Sequence, residues 1–336
     1  MNSKRILPPG KLPGDLLDRL IRAYKTPPDS SVLIDTSYGF DAAAISIGGE
    51  TLLVKSDPIT FATSEAAQYL VAVNANDIAC LGGIPRWMTV VALLPEDATT
   101  PELVEKLFHD LQKACRDEGV SLIGGHTEVT IGLDRPLLIG TLLGTVGPYG
   151  LLEPGKAQAG DELWISHSAA IEGTALLANE KDSELRQALG DDIVGMAQTL
   201  LLEPGISVSR DAQLLLRTGG VTALHDATEG GVATAIHEIA AASSLGAEID
   251  GAAIPILECT RKIADHFGID PLGLISSGAL LIAGRPGSEA LLMQSTVPIA
   301  KIGVLTDDTS RVTISTESGV QDLLRFDSDE LTRALA

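Results

Sequence analysis

The sequence predicts a two-domain protein of the α/β or α+β class. Helix-like and strand-like stretches alternate along 336 residues, a length that exceeds one typical domain. A stretch rich in Gly and Pro at residues 148–160 separates the two halves. We therefore expect an N-terminal domain with a mixed sheet and helices over residues 1–150. A C-terminal α/β sandwich domain should follow over residues 158–336.

The individual elements are predicted from apolar periodicity and from Gly and Pro signals. The first half contains helices over 14–24, 65–83 and 101–119, strands over 86–94, 120–125 and 135–147, and a hairpin turning at Gly48-Gly49. Gly82-Gly83 should end the second helix, and Pro101 should lie near the start of the third. The second half adds strands over 162–166, 221–226 and 278–284 and helices over 171–179, 207–217 and 228–243.

Composition excludes several classes of protein. A formal net charge of −21 argues against a nucleic-acid partner, whose phosphates would be repelled. The N-terminus lacks the apolar core of a signal peptide, and the longest uncharged run, from Pro136, is too broken by Gly and Pro for a membrane helix. The three cysteines show no CxxC spacing, which is typical of free thiols in a reducing cytosol. We expect a cytoplasmic protein without a membrane segment.

Two familiar motifs are only partly matched. Residues 150–156 fit GxxxxGK, but Ala157 lacks the hydroxyl of a P-loop, and a strand rather than a helix should follow. His237-Glu238 begins like HExxH, but residue 241 is Ala. These segments predict neither a P-loop nor a zinc protease site.

Acidic patches at the ends of apolar segments are the stronger signal. They are Phe40-Asp41, Lys55-Ser56-Asp57, Asn76-Asp77, the run Gly124-Gly125-His126-Thr127-Glu128, and the run His225-Asp226-Ala227-Thr228-Glu229-Gly230-Gly231. Carboxylates at strand ends are well placed to converge in one cleft. Mg²⁺ prefers a few carboxylates with phosphate oxygens and water, so the inventory suits Mg²⁺. Structural ion pairs of these acids with Lys55 or Arg86 are the alternative.

The helix predicted over residues 65–83 carries Asn74, Asn76 and Asp77 within an apolar stretch. Asn and Asp are poor helix formers, and an unpaired buried carboxylate is expensive. Asp77 therefore needs a cation or hydrogen-bond donors. A sequence that breaks a local rule often does so at a functional site.

In this order, the patches resemble the family of aminoimidazole-ribonucleotide synthase, selenophosphate synthetase, thiamine-monophosphate kinase and the HypE-type hydrogenase maturation factors. The resemblance spans nearly the whole chain. It is closest to the HypE-like branch, through ANDIACLGGIPRW, GGHTEVT and DATEGGVATAIHEIAAASSLGAEIDGAAIPI. It implies a PurM-like architecture of two α/β domains and a homodimer that binds Mg-ATP in the N-terminal domain at the subunit junction.

The resemblance also implies roles for particular residues. Asp41, Asp57 and Asp77 would hold Mg²⁺ and the triphosphate, and Asn76 would support them. The phosphate end would be lined by Gly124, Gly125, His126, Thr127 and Glu128. Asp226 and Thr228, with the backbone of Gly230 and Gly231, would face ATP from the second domain. Within this set we expect His126, Glu128 and Asp226 to act in catalysis.

Departures from the family pattern keep three functions open. Relatives often carry two acids where this chain has Phe40-Asp41, HypE-like sequences usually have Arg at the position of Glu229, and they end in a substrate-carrying cysteine where this sequence ends LTRALA. The first function is ATP-dependent phosphorylation of an oxygen on a small-molecule substrate, by kinase, ligase or dehydratase chemistry. The second is HypE-like maturation with a partner protein that supplies the cysteine. The third is an ATP-binding regulator without catalysis.

Overall fold

The computed structural model describes residues 7, 10–60 and 65–335. The N-terminal residues 1–6 and 8–9, where no signal peptide is expected, and Ala336 lie outside this range. The predicted α/β class is confirmed, because the described chain forms two sheets, each packed against helices. One sheet holds strands from residues 32–146 and the other holds strands from residues 162–322. The domain limits at 150 and 158 remain a prediction.

The first half contains α1 (Gly14–Tyr24), β1 (Val32–Ile34), β2 (Ala43–Ile47), β3 (Glu50–Ile59), α2 (Ala66–Cys80), β4 (Gly83–Pro95), α3 (Pro101–Asp117), β5 (Ser121–Thr130) and β6 (Leu137–Val146). Its sheet has the order β1-β2-β3-β6-β4-β5, with β4 and β5 parallel and the other neighbours antiparallel. The order leaves β5 at an edge, with β6 and β4 between it and β3.

The second half contains β7 (Glu162–Ser166), α4 (Ile171–Glu180), α5 (Asp182–Leu189), α6 (Asp191–Thr199), α7 (Ser209–Leu216), β8 (Val221–Asp226), α8 (Gly231–Ala242), β9 (Gly246–Asp250), α9 (Glu258–Phe267), β10 (Leu280–Gly284), α10 (Glu289–Leu292), β11 (Ile299–Thr306), β12 (Val312–Thr316), β13 (Gly319–Asp322) and α11 (Glu330–Leu335). Its sheet has the order β13-β12-β9-β11-β7-β10-β8. Side chains of α8 pack on one face, and side chains of α7 and the end of α2 pack on the other.

Local signals explain the element boundaries. Gly48 and Gly49 both have positive φ, which a two-residue hairpin between β2 and β3 requires. The Thr100 hydroxyl accepts a hydrogen bond from the Leu103 N–H at 3.2 Å, and Pro101 occupies the first turn of α3. Gly82, with φ of 74°, ends α2 as predicted.

Helix α2 is buried on all sides and joins the two halves. Leu70 and Ile78 pack against the first sheet, Tyr69 packs among the helices of the second half, and Ala79 packs under the second sheet. A helix surrounded by protein needs apolar residues around its whole circumference. The position of α2 explains why its polar residues stand out in the sequence.

Candidate functional site

A cavity opens between the two halves of the chain. It is lined from the first half by the loop before β2, strand β3 and helix α2, and from the second half by the end of β8, the start of α8 and residues 325–329. Six of the predicted site residues line it: Asp41, Asp57, Asp77, Asp226, Thr228 and Gly230. Glu229, which belongs to the same acidic patches, lines it too, so the predicted convergence of carboxylates is found for five of the acids.

Lys55 lies between two of these carboxylates. Its Nζ is 3.1 Å from Asp57 Oδ2 and 3.2 Å from Asp77 Oδ2. Burial lowers the pKa of Lys55, but the charges of Asp77 and Asp57 outweigh that effect and raise it. The alternative of an ion pair with Lys55 is thus realised. Arg86 instead approaches the Thr145 hydroxyl at 3.4 Å.

A second buried cation is His225, at the end of β8. Its Nδ1 lies 2.7 Å from Asp41 Oδ1 and its Nε2 lies 3.0 Å from Glu238 Oε2. Because ionised carboxylates only accept hydrogen bonds, both ring nitrogens must carry protons, which makes the ring an imidazolium. Burial disfavours that charge, but Asp41 and Glu238 raise the pKa of His225 well above its usual value. Lys11 and His225 in turn lower the pKa of Glu238 to about 2 against the opposing effect of burial.

Two buried carboxylate oxygens of the cavity make no hydrogen bond within the described part of the chain. Among the described residues, Asp226 Oδ2 has no partner, and Asp77 Oδ2 has only the ion pair with Lys55 Nζ at 3.2 Å. Burial and the charge of Asp41 raise the pKa of Asp226 to about 6. Asp41, His225 and Asp226 also offer possible ligand atoms within 4.8 Å of one another. A protonated imidazole cannot bind a metal, so the available ligands are carboxylate oxygens, which suit Mg²⁺.

The two glycines at the start of α8 have structural roles. The Gly230 N–H donates to Asp329 Oδ2 at 2.6 Å, and the Gly231 N–H donates to the Thr228 carbonyl at 3.0 Å. Both have positive φ, and a Cβ on Gly230 would lie 2.5 Å from Thr234 Oγ1. These N–H groups therefore already have partners within the chain.

The asparagines of α2 hold backbone rather than line the cavity. Asn76 donates to the Ile206 carbonyl at 2.9 Å and accepts from the Val208 N–H at 2.8 Å. Asn74 accepts from the Asp57 N–H at 3.1 Å and donates to the Leu70 carbonyl at 2.8 Å. Asn76 thus ties α2 to the second half, and Asn74 positions Asp57.

The run from Gly124 to Glu128 lies away from the cavity. It forms the middle of edge strand β5, which continues to Thr130, although the sequence predicted a strand only over residues 120–125. His126 Nε2 and Glu128 Oε2 are 3.0 Å apart on the exposed surface. Gly125 is needed because a Cβ there would lie 1.9 Å from the Val90 carbonyl oxygen. With strands about 4.8 Å apart, three steps across the sheet separate β5 from β3 by roughly 14 Å. Thr127 and its neighbours therefore do not join Asp57 within one chain.

Several charged cavity residues were given no role by the sequence, among them His225, Glu238 and Lys11. His225 and Glu238 form the buried pair described above, and Lys11 donates from Nζ to Thr228 Oγ1 at 3.0 Å and from its N–H to Glu229 Oε2 at 2.9 Å. Glu238 sits in the apolar segment of α8, which is the same kind of signal that singled out Asp77. Lys11 carried no comparable signal, because it lies in a segment without periodicity.

The cysteines lie in apolar surroundings. Cys80, Cys115 and Cys259 are all free and buried, as predicted. Burial and the charge of Asp226 raise the pKa of Cys80, which keeps its thiol protonated. No helix in the described part of the chain is long and apolar enough to cross a membrane.

Comparison with known proteins gives concordant matches. Residues 39–146 match the AIR synthase related protein, N-terminal domain, and residues 158–315 match the AIR synthase related protein, C-terminal domain. Carbamoyl dehydratase HypE of Escherichia coli is 30% identical over 229 residues, which cover 68% of this chain and 64% of that protein.

Solved structures show the same fold. The structure of a HypE-HypF complex aligns with a TM-score of 0.73 at 19% identity, covering 92% of this chain and 99% of the other. The structure of the hydrogenase maturation protein HypE in complex with ATP aligns with a TM-score of 0.70 at 24% identity, covering 94% of this chain and 96% of the other.

Proposed function

The chain belongs to the AIR synthase-related family, and from that premise we propose that it is a Mg-ATP-dependent enzyme that phosphorylates an oxygen of a small-molecule substrate. The observation that carries the proposal is the convergence of Asp41, Asp57, Asp77 and Asp226 on one cavity. Among the described residues, the buried Asp226 Oδ2 is left unpaired there, and Asp77 Oδ2 has only its ion pair with Lys55. Such oxygens are costly to bury unless a cation joins them.

The residues have distinct roles in this proposal. Asp77 and Asp226 would hold Mg²⁺, which would neutralise charge on the triphosphate. Lys55 would balance Asp57 and Asp77 and offer its ammonium to a phosphate oxygen. In the transfer itself, the acceptor oxygen forms a bond to the γ-phosphorus, and the bond from that phosphorus to the bridging oxygen breaks, so that ADP leaves with the electron pair.

A homodimer is part of the proposal. Strand β5 has one edge without a partner strand in the described part of the chain, and it exposes Ile123 and Val129, each at 55%, with Ile131 at 77% beyond its end. An apolar edge of this kind favours pairing with another chain. A second copy docked on β5 would give Gly124, His126 and Glu128 a phosphate-binding or catalytic role that one chain does not provide.

The test is acceptor-dependent ADP release. Purified protein with Mg-ATP should release ADP slowly alone and faster when one member of a metabolite panel is added. Asp226→Asn should abolish the stimulated rate. If no metabolite accelerates ADP release although Mg-ATP binds tightly, the protein is the ATP-binding regulator instead.

A HypE-like maturation function is the second candidate, because the E. coli relative is named a carbamoyl dehydratase and a HypE-HypF complex has been solved. A stable complex with a maturation partner protein that supplies a cysteine would favour it.

A further inference from the structure

A second cavity adjoins the first one on the side of strand β3. The two share Lys11, Asp57, Thr228 and Glu229 in their linings. The second cavity extends past the end of β3 towards Arg135 and helix α4. A molecule bound there would stand beside the proposed phosphate site without occupying it.

Arg135 brings an unsatisfied positive charge to this cavity. Its Nε is buried and lacks a hydrogen-bond partner in the described part of the chain. Within residues 10–60 and 65–335, no carboxylate lies within ion-pairing distance of its guanidinium. A guanidinium is suited to bind carboxylate or phosphate through two parallel hydrogen bonds. Arg135 therefore points to an anionic ligand.

Two further polar side chains, both buried, line the same cavity. Ser277 is 0% exposed, and its hydroxyl has no hydrogen-bond partner among the described residues. Glu172 is 4% exposed, and its Oε2 accepts only a long bond of 3.3 Å from the Ser277 N–H. Burial raises the pKa of Glu172 to about 7. The nearby Ser277 hydroxyl opposes this rise, but it does not reach hydrogen-bonding geometry with any described group. Buried polar groups normally have hydrogen-bond partners, and a bound ligand would supply the partners that Glu172 and Ser277 lack.

We propose that the second cavity is the acceptor subsite and takes a small organic molecule with a carboxylate or phosphate group, bound by Arg135, and a hydroxyl or amide group, bound by Glu172 and Ser277. This inference rests on the proposed function, since it assumes that nucleotide fills the first cavity. The apolar side chains of Leu176 and Ile275 complete the lining and would contact the carbon skeleton.

The test measures anion binding to the Mg-AMPPCP complex, in which a non-hydrolysable analogue occupies the nucleotide site. Melting temperatures are measured during titration with three matched pairs: glycolate and glycolamide, propionate and propionamide, and glycerol 3-phosphate and glycerol. The anionic member of at least one pair should raise the melting temperature, and its neutral partner should not. A response to glycerol 3-phosphate alone would identify a phosphate group, and a response to the carboxylates alone would identify a carboxylate.

Variants connect the binding to Arg135. Arg135→Gln should raise the half-saturating anion concentration at least tenfold and leave the Mg-AMPPCP shift unchanged, and Arg135→Lys should restore part of the affinity. Arg217→Gln, at an exposed arginine beyond α7, is the matched control and should behave as wild type.

Equal responses to charged and neutral partners, no response to any anion, or full anion affinity in Arg135→Gln would each overturn the inference while the proposed function stands. If Mg-AMPPCP itself gives no shift, both proposals fail.

Discussion

Replacing Asp77 by Asn tests the proposed cation site most directly. Asp77 is 4% exposed, and burial raises the pKa of its carboxyl, an effect that Lys55 opposes and Asp226 reinforces. An acid whose pKa is raised by folding is ionised at a net cost to the folded state. Asp77→Asn should therefore leave the ligand-free protein as stable as wild type, or slightly more stable, at pH 7.

With Mg-ATP bound, wild type should become more stable than Asp77→Asn. Mg-ATP at 100 times its Kd stabilises a protein by about 2.7 kcal/mol. Unfolding entropy near 2.1 cal/mol/K per residue amounts to about 0.7 kcal/mol/K for a chain of this length, so the wild-type Tm should rise by about 4 °C. If the variant binds a hundredfold more weakly, the same ligand concentration adds only about 0.4 kcal/mol, or about 0.6 °C.

The assay is a set of thermal melts with and without Mg-ATP. Asp57→Asn should behave like Asp77→Asn, since both acids contact Lys55. Asp117→Asn is the matched control, because among the described residues this exposed acid on α3 pairs only with Lys113, at 2.8 Å. A full Mg-ATP shift in both cavity variants would refute the cation site. A clear loss of stability in ligand-free Asp77→Asn would show that the pair with Lys55 is structural.

Four further outcomes are expected. Asn76→Ala should lower the free energy of unfolding by about 2–3 kcal/mol in urea titrations, because it leaves two backbone groups unpaired, and it should keep its Mg-ATP shift. Wild type should be more stable than His225→Gln, and the difference should be complete below about pH 6.5. It should shrink as the pH rises above that value, because folding raises the pKa of His225. A difference that grows with pH would contradict the imidazolium. Light scattering at micromolar concentration should show a dimer for wild type and a monomer for Ile123→Lys, and a wild-type monomer would refute the β5 interface. A folded variant with alanine at all three cysteines should keep turnover in the ADP assay, and loss of activity would indicate a thiol intermediate; the substituted residues are Cys80, Cys115 and Cys259.

Sequence alone determined the features that depend on local pattern. Periodicity and Gly or Pro signals predicted α2, the hairpin at Gly48-Gly49 and the start of α3 at Pro101, because each is stabilised by near neighbours in the chain. Carboxylates placed in apolar segments marked Asp77 as unusual, since burial of an unpaired charge is costly wherever it occurs. The order of the acidic patches indicated the family.

Only the tertiary structure decided which residues meet. Asn76 and Asp77 are adjacent in sequence, yet one holds the backbone at Ile206 and the other faces the cavity, because successive residues of a helix point about 100° apart. The strand order, which depends on long-range pairing, placed His126 at an edge far from Asp57. The contact between His225 and Glu238 depends on the packing of α8 on the second sheet, and no short stretch of sequence determines how closely the two side chains approach.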